Sequence, residues 1–566
     1  MEIKMKTRYL LTIAISACML SACDSFFDLA PKDRLTSESF WNDADDAYSA
    51  LTACYNWWYA NDNGAKTMFY EDAYSDIGFN YTNAGNMRDV AKGSLSAAAA
   101  PNKWKQYETI RRCNFVIENI DRVPADKITE DQKNDILGQA RAIRGYSHAL
   151  VTNWYGDAIK MDFVPDTDED AKVERIDAEE IRAFALKDLE WAADHINESP
   201  AQKGRIAKGA VYAMLVRFNL YWGNWDAVVD YAERLKALNQ YSLEPNFLNM
   251  FTIAGQNSRE IIATYEQVAT IYAYTDAIRH FNNADGGWAS FVPTDNLVNM
   301  FEMANGLPID DPDSGYDPEH PYANRDPRLK QTVIYSGMDW EGKTGQRIIN
   351  TLDKTIGGEN NADYYNAADN ASKTGLLFAK YAWPGPGQYS ADLRNDSFCP
   401  IVFRYGEVLV SEAEAYAELN ELDEALDIID EIRTTRGHIP VDRSRYTTQA
   451  QVRELVRNER TIELAGEGFR YEDIVRWDEY DESGNKTGRK VAQAVMGGDL
   501  LRSVGTVNMD PSVPEDMRAT ININAPRADR LIETRGEFDV PRRLLFPLLQ
   551  AELDANPKLK QNPGYE

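Results

Sequence analysis

The residues best placed by type and spacing to do chemistry lie near the C-terminal third. Glu459, Glu463 and Glu467 recur every four positions, with Arg460 and Arg470 among them. Carboxylates on one helix face are what acid–base or metal chemistry needs. The same spacing suits ion pairs to Arg457, Arg460 and Arg470 that staple helices together, and that structural reading is preferred. A second acidic cluster, Asp310-Asp311-Pro312-Asp313-Ser314-Gly315-Tyr316-Asp317, has the composition of a calcium loop. Counting from Asp310 puts Gly315 at the sixth position, but Pro312 then falls where a side-chain ligand is required; counting from Asp311 puts Tyr316 at the sixth. A solvated turn is therefore expected, with calcium as the alternative, and no cofactor is assigned. Arg325, Asp326 and Arg328 around Pro327 read as groups that fix a loop. G-x-S-x-G, H-E-x-x-H, C-x-x-C and P-loop signatures are absent, and His148, His195, His280, His320 and His438 share no ligand spacing. This weighs against an enzyme. A glycosidase needs only two carboxylates at a set separation, so that reading stays open.

The one thiol with a distinct context is Cys23. Lys4, Lys6 and Arg8 precede an apolar run from Tyr9 to Leu20, which is of signal-peptide length and too short to span a bilayer. Leu20-Ser21-Ala22 directly before Cys23 looks like the lipobox of bacterial lipoproteins, which implies cleavage before Cys23 and its acylation. Multiple acyl chains anchor a protein stably where one does not. Residues 1–22 are thus expected to be a signal peptide and 23–36 an extended tether. Cys54, Cys113 and Cys399 are too few and too widely spaced for a disulfide framework or a zinc motif. They read as small buried residues, and one bridge is compatible with an oxidising compartment.

The body that must position these groups is 566 residues with 61 basic and 90 acidic side chains, a formal charge of −29. Such a charge argues against nucleic acid as a partner, since phosphate binding needs a dense basic surface. Helical periodicity begins after Ser37, with Phe40, Ala44, Ala47, Leu51 and Tyr55 at three- and four-residue steps. Further helices are predicted over about 103–120, 131–154 and 177–196. Two later stretches look like one unit. Gly223 and Asn420 each end a helix; Trp225 and Leu422 follow two residues on; Val228 and Ala232 align with Ala425 and Ile429. That is the logic of a tetratricopeptide-like helix pair. Residues 60–103 are polar and glycine-containing, long for a loop. Residues 241–400 are rich in Gly, Pro, Asn, Asp and aromatics, with strand-like runs at 259–265 and 331–335. The expected fold is mainly α: helix-pair regions at 37–240 and 401–566 carrying a loop-rich, partly irregular insertion at 241–400.

Several segments in order resemble the SusD/RagB family of nutrient-uptake outer-membrane lipoproteins. They are Phe27-Asp28-Leu29-Ala30-Pro31 after Cys23, Trp104 through Tyr107 to Asn114, and Ala140-Arg141-Ala142 with Trp154-Tyr155-Gly156-Asp157. Asn324-Arg325-Asp326-Pro327-Arg328-Leu329 matches the family's N-R-D-P-R-L segment. Phe403 to Ala415 resembles R-Y-A-E-V-L-L-x-x-A-E-A, with Gly406, Val410 and Glu412 departing from it. Glu459 to Trp477 resembles the family's E-R-R-x-E-L run, with Thr461 for the second Arg, and Gln561-Asn562-Pro563-Gly564-Tyr565 resembles its terminal signature. The resemblance implies a single compact fold from residue 37 and a protein anchored by Cys23 to the outer membrane, facing the cell surface. It implies capture of a glycan, or of a peptide in some members, for a SusC-like TonB-dependent transporter, without catalysis. Asp24 would signal inner-membrane retention under proteobacterial sorting; the resemblance points to a lineage with surface export. A secreted hydrolase and a ligand-free helical scaffold are the rivals from other classes.

A sugar site wants an aromatic plate beside side chains that fix hydroxyls. Trp104, Trp154, Trp191, Trp222, Trp225 and Trp477 lie in helical pattern and read as core, whereas Trp288, Trp340 and Trp383 lie in loops. The expected site is Asp76, Tyr81, Trp288, Trp383, Tyr389 and Arg394. Asp76 enters the aromatic loop in a region where family members often hold a binding carboxylate, and Arg394 closes the loop from Trp383 to Tyr389.

Overall fold

The structure, a computed structural model, describes residues 40–61, 68–343, 345–366, 369–382 and 393–566. Cys23 and the tether lie outside the described residues. The N-terminal region contributes α1 (Ala44–Asn61), α2 (Gln106–Asn119), α3 (Glu130–Tyr155), α4 (Ala178–His195), α5 (Lys208–Trp222) and α6 (Trp225–Ala237). After the insertion come α7 (Tyr405–Leu419), α8 (Leu422–Thr435), α9 (Gln449–Leu464) and α10 (Arg470–Arg476). Both α3 and α9 begin with a capping box, Thr129 with Gln132 and Thr448 with Gln451, which satisfies N–H groups the first turn leaves unpaired. Gly145 lets α4 lie against α3: a Cβ there would sit 2.8 Å from the Ala185 carbonyl oxygen.

The two helix pairs form as their shared pattern predicts. Gly223 ends α5 at φ 75° and Asn420 ends α7 at φ 64°, both in the left-handed region that reverses the chain. Val228 and Ala232 of α6, and Ala425 and Ile429 of α8, are wholly buried against the helices they face. One apolar cluster fills α1 to α6, a second fills α7 to α9, and a third lies under the loop-rich region. Cys54, Cys113 and Cys399 are free and buried.

The insertion is tied to the scaffold by short ribbons. The run at 259–265 forms β2 (Ile261–Thr264), antiparallel to β4 (Ile401–Arg404), with Ile401 opposite Thr264. At 331–335 only Val333–Ile334 is strand, because a helix over Arg328–Thr332 occupies the first part. Beyond Arg476 the chain departs from the helical region expected over 401–566. It folds as ribbons: Asp478–Tyr480 with Lys486–Lys490, Gly498–Leu501 with Leu531–Arg535, and Gly505–Val507 with Ala519–Ile521. Gly484, Gly488, Gly497 and Gly498 all take positive φ, and Pro511, Pro514 and Pro526 interrupt any helical run.

The carboxylates Glu459 and Glu463 of α9, and Glu467 in the turn after it, are structural, but their partners differ from the local ones expected. Glu459 accepts from Arg328 Nη1 at 2.6 Å and from Arg433 Nε at 2.8 Å. Glu463 accepts from Arg404 and Arg436, each at 2.7 Å. Glu467 takes Arg404 Nε at 2.6 Å and Lys380 Nζ at 2.7 Å. Burial pushes the Glu463 carboxyl up, but Arg436 and Arg404 outweigh it and hold it well below the usual carboxylate range. Because Arg328 and Lys380 belong to the insertion, the network clamps the insertion onto α9. Desolvation offsets much of the attraction in such a network, so its clearest effect is on register, while loss of one partner is costly. Arg325 donates to the Val298 and Phe301 carbonyls, both at 2.6 Å, and fixes its loop as expected. In the acidic turn, Asp311 accepts the Asp313 N–H at 2.9 Å and pairs with Arg445.

Candidate functional site

The site is assembled at one end of a two-stranded ribbon. β1 (Gly78–Asn80) pairs antiparallel with β3 (Phe291–Pro293), placing Asn80 opposite Phe291. Tyr81 leaves this end just as the chain arrives from Trp288. Beside the ribbon, the Trp288 N–H donates to the Ile278 carbonyl at 2.7 Å, and the Ser290 N–H to the Arg279 carbonyl at 3.0 Å. The Ile278 N–H in turn donates to the Leu393 carbonyl at 3.2 Å. These bonds set Arg279, Trp288 and Arg394 side by side. The turn that returns the chain to Trp288 depends on Gly287, where a Cβ would lie 2.1 Å from the Phe281 carbonyl oxygen.

Trp288 is half-buried, and two guanidinium groups lie over its ring: Arg279 at 5.4 Å and Arg394 at 4.7 Å from the centroid. Arg279 is also bonded through Nε to Asp276 Oδ1 at 2.9 Å. Tyr81, likewise half-buried, donates its hydroxyl to Asn370 Oδ1 at 3.3 Å and has Lys373 Nζ 5.9 Å from its ring. Partial burial pushes the Tyr81 phenol up, Asp369 adds to that, and Arg279 opposes it. Arg279 thus acts on both aromatic residues.

Next to this rim lies a cavity of about 220 Å3. Its polar wall comes from Asn80, Asn86 and Asn102, its apolar wall includes Tyr70, Tyr74 and Met87, and Asp276 and Arg279 join it to the rim. Asn86 holds its place by donating to the Ala100 carbonyl at 3.1 Å. The Tyr74 hydroxyl and the Asn102 side-chain oxygen are buried and bond to no group among the described residues. Buried polar atoms without partners are rare, and here they lie in the walls of a cavity that could supply the missing bond. The volume is below the ~300–1,000 Å3 that encloses a drug-sized molecule, so it suits one ring of a longer ligand whose remainder lies over the rim.

Of the residues expected in the site, Tyr81, Trp288 and Arg394 come together here. Asp76 does not. It is 4% exposed, and both carboxylate oxygens are taken by Arg470, Nε and Nη2 each at 2.9 Å. Its main-chain oxygen accepts from Thr294 Oγ1 at 2.7 Å, so Asp76 anchors the ribbon from behind. Trp383 and Tyr389 lie outside the described residues. Trp340, a loop aromatic by pattern, is buried with its indole N–H on Asp285 at 2.8 Å. Arg279, Asn370 and Lys373 were not anticipated; the only sequence signal was their position in the polar insertion. Asp276, the carboxylate shared by cavity and rim, is already bonded to Arg279. Among the described residues, no group of three or more His, Cys, Asp or Glu side chains is arranged to hold a metal ion.

Residues 256–565 match the model of the SusD family, and residues 25–220 match a model described as "starch-binding associating with outer membrane". The chain is 24% identical over 500 residues to SusD-like protein P38 of Formosa agariphila, covering 82% of this chain and 90% of that protein. Among solved structures, a SusD-like protein from Bacteroides fragilis superposes with a TM-score of 0.76 at 22% identity, over 95% of this chain and all of that one. A SusD-like carbohydrate-binding protein from the same organism gives 0.75 at 23% identity, over 92% of this chain and all of that one.

Proposed function

Because the chain belongs to the SusD family, we propose that it is a glycan-binding lipoprotein of the outer membrane. It holds an oligosaccharide at the Tyr81–Trp288–Arg394 rim and delivers it to a SusC-like TonB-dependent transporter. The observation that carries the reading is the meeting of two aromatic side chains, two arginines and a ring-sized cavity with one asparagine wall and one apolar wall, at the end of one ribbon. The similar B. fragilis protein described as carbohydrate-binding supports the ligand class. Anchorage rests on the lipobox-like sequence before Cys23, and no described helix is long and apolar enough to cross a membrane. Cleavage is not part of the reading; Asp276, the carboxylate that lines the cavity, is engaged by Arg279.

Isothermal titration against a panel of glycans and peptides tests this reading. A glycan should bind, and Trp288→Ala should weaken it about tenfold, the loss of about 1.4 kcal/mol. Unchanged affinity in Trp288→Ala refutes the site; peptide binding alone refutes the ligand class. Turnover of the bound glycan refutes a pure binding role. Co-purification with a large β-barrel, and loss of the protein when intact cells are shaved with protease, test the delivery and surface steps.

A further inference from the structure

Asn102 lines two hollows. One is the cavity of about 220 Å3 beside the rim; the other is a groove of about 760 Å3. The groove is bordered by the start of α2, the loop over 159–172 and a short helix, Gln550–Ala555. The Asn102 Oδ1 is buried and takes no bond from any described group, while its Nδ2 donates to Glu552 Oε1, a groove residue, at 3.3 Å. The strap that carries Asn102 is tied from three directions. Asn86, in the cavity wall, donates to the Ala100 carbonyl at 3.1 Å. Behind the strap, the Tyr155 hydroxyl donates to the Pro101 carbonyl at 3.3 Å and accepts the Lys103 N–H at 3.1 Å. On the C-terminal side, the Gln550 N–H donates to the Ala97 carbonyl at 2.8 Å. The junction is thus set before a ligand arrives, which spares the ordering cost that a loose strap adds to binding.

The groove has an apolar floor that includes Trp104, Tyr107, Ile159, Met161 and Leu559. The Tyr107 hydroxyl is spent in holding that floor: it donates to the Ile159 carbonyl at 2.9 Å and accepts the Ile159 N–H at 2.7 Å. One wall is tied to the C-terminal segment by Asn556 Nδ2, which donates to the Val173 carbonyl at 2.8 Å. The edges are polar and exposed, with Lys105 and Arg111 along α2 and Asp166 and Asp168 on the loop. An apolar floor between hydrogen-bonding edges complements a sugar chain, which presents C–H faces flanked by hydroxyls. At about 760 Å3 against about 220 Å3, the groove has room for several rings where the cavity holds one. Arg394 at the rim and the groove edges at the other end are exposed, so neither end of the path is walled.

We propose that the groove is a second subsite. One glycan chain lies on the rim, puts a ring into the cavity, passes Asn102 and continues along the groove, so that the protein reads an internal stretch of a polysaccharide rather than a chain end. This rests on the glycan-binding reading above and names its substrate class as long chains.

The test is isothermal titration of the full chain with the trimer and hexamer of four series: malto-, cello-, xylo- and galacturono-oligosaccharides. In any series that binds, the hexamer is expected to bind at least tenfold tighter than the trimer, more than its extra binding frames alone provide. Ala555 is exposed and lines the groove but not the cavity, so Ala555→Glu should abolish the hexamer's advantage and leave the trimer unchanged. Circular dichroism checks that this variant folds, and Ala171→Gln on the opposite edge repeats the block. Asn102→Ala should weaken the hexamer at least about fivefold, as for loss of one hydrogen bond. Equal affinity for trimer and hexamer, or an advantage that survives both groove variants, overturns the second subsite and leaves the glycan reading standing. Hexamer affinity unchanged in Asn102→Ala overturns the junction. Affinity gel electrophoresis of the parent polysaccharide reads the internal stretch directly: retardation supports it, and binding of oligosaccharides alone overturns it. If Ala555→Glu releases a co-purifying β-barrel and leaves hexamer binding intact, the groove is a protein contact and the proposal fails. Binding of no glycan in any series overturns the glycan reading as well.

Discussion

Replacing Asp76 by Ala separates a ribbon anchor from a ligand-binding carboxylate. In the folded chain Asp76 bridges 394 positions to Arg470, which is itself 7% exposed. Removing the carboxylate leaves a buried guanidinium with one remaining side-chain acceptor, Thr461 Oγ1 at 3.0 Å. Breaking a buried pair from one side costs about 3–5 kcal/mol, and the surviving Thr461 bond places this case near ~3 kcal/mol. At an unfolding entropy of ~2.1 cal/mol/K per residue, a chain of 566 residues then melts about 2–3 °C lower, provided it unfolds as a unit. Guanidinium unfolding should show the same loss as a lower midpoint at unchanged slope. The Asp76→Ala/Arg470→Met double variant removes the stranded charge, so the two single losses should fail to add by at least about 1 kcal/mol. A variant that melts and unfolds like the parent, yet no longer binds the glycan, would refute the anchor role and return Asp76 to the site.

Two other perturbations probe the scaffold and the proton balance of the core. Gly145→Ala should cost about 1–3 kcal/mol in a denaturant titration, because its Cβ would lie 2.8 Å from the Ala185 carbonyl oxygen and force α3 and α4 apart; parental stability would show the helix contact to be looser than described. Asp72 is wholly buried, and burial drives its carboxyl up to about 7 against hydrogen bonds from the Arg470, Gly468 and Gly466 N–H groups and the charge of Lys380. With the ordinary value at 3.8, folding favours the protonated form, so its contribution is present below about pH 4 and is lost as pH rises through 7. Asp72→Asn should therefore flatten the dependence of stability on pH between 4 and 7, whatever constant loss the amide adds; a slope identical to the parent's would refute the assignment.

The helix pairs were legible because every signal they need is local. A left-handed cap, an apolar plug two residues later and small residues at steps of three and four all fall within a dozen positions around Gly223 and around Asn420. The ribbons after Arg476 were not legible, because strands of three to five residues carry too few alternations to stand out from turn-rich sequence. The site was half legible for a related reason. Tyr81 and Trp288 announce themselves as aromatic residues among Gly and Asn. A charged side chain does not announce its partner. Asp76 and Asp276 are both loop carboxylates, and only the fold reveals that one is taken by Arg470 and the other by Arg279.

The same ambiguity explains why Arg279 and Lys373 escaped notice at the rim, where Arg394 was expected from its place in the loop. Arg328 and Arg404 are fully buried on carboxylates, and Arg325 is spent on main-chain carbonyls. Arg394, in the same insertion as Arg325 and Arg328, is exposed over an indole. Their side chains are identical in type, so composition alone assigns all of them to the general background of an acidic protein. The distinction arises from backbone pairing: the Ile278–Leu393 and Trp288–Ile278 hydrogen bonds set Arg394 and Arg279 beside the same ring. On the proposed reading, specificity at this site is a property of loop register. A substitution that shifts the turn at Gly287 should weaken ligand binding without touching any residue of the rim, since it displaces Trp288 from both of its arginines together.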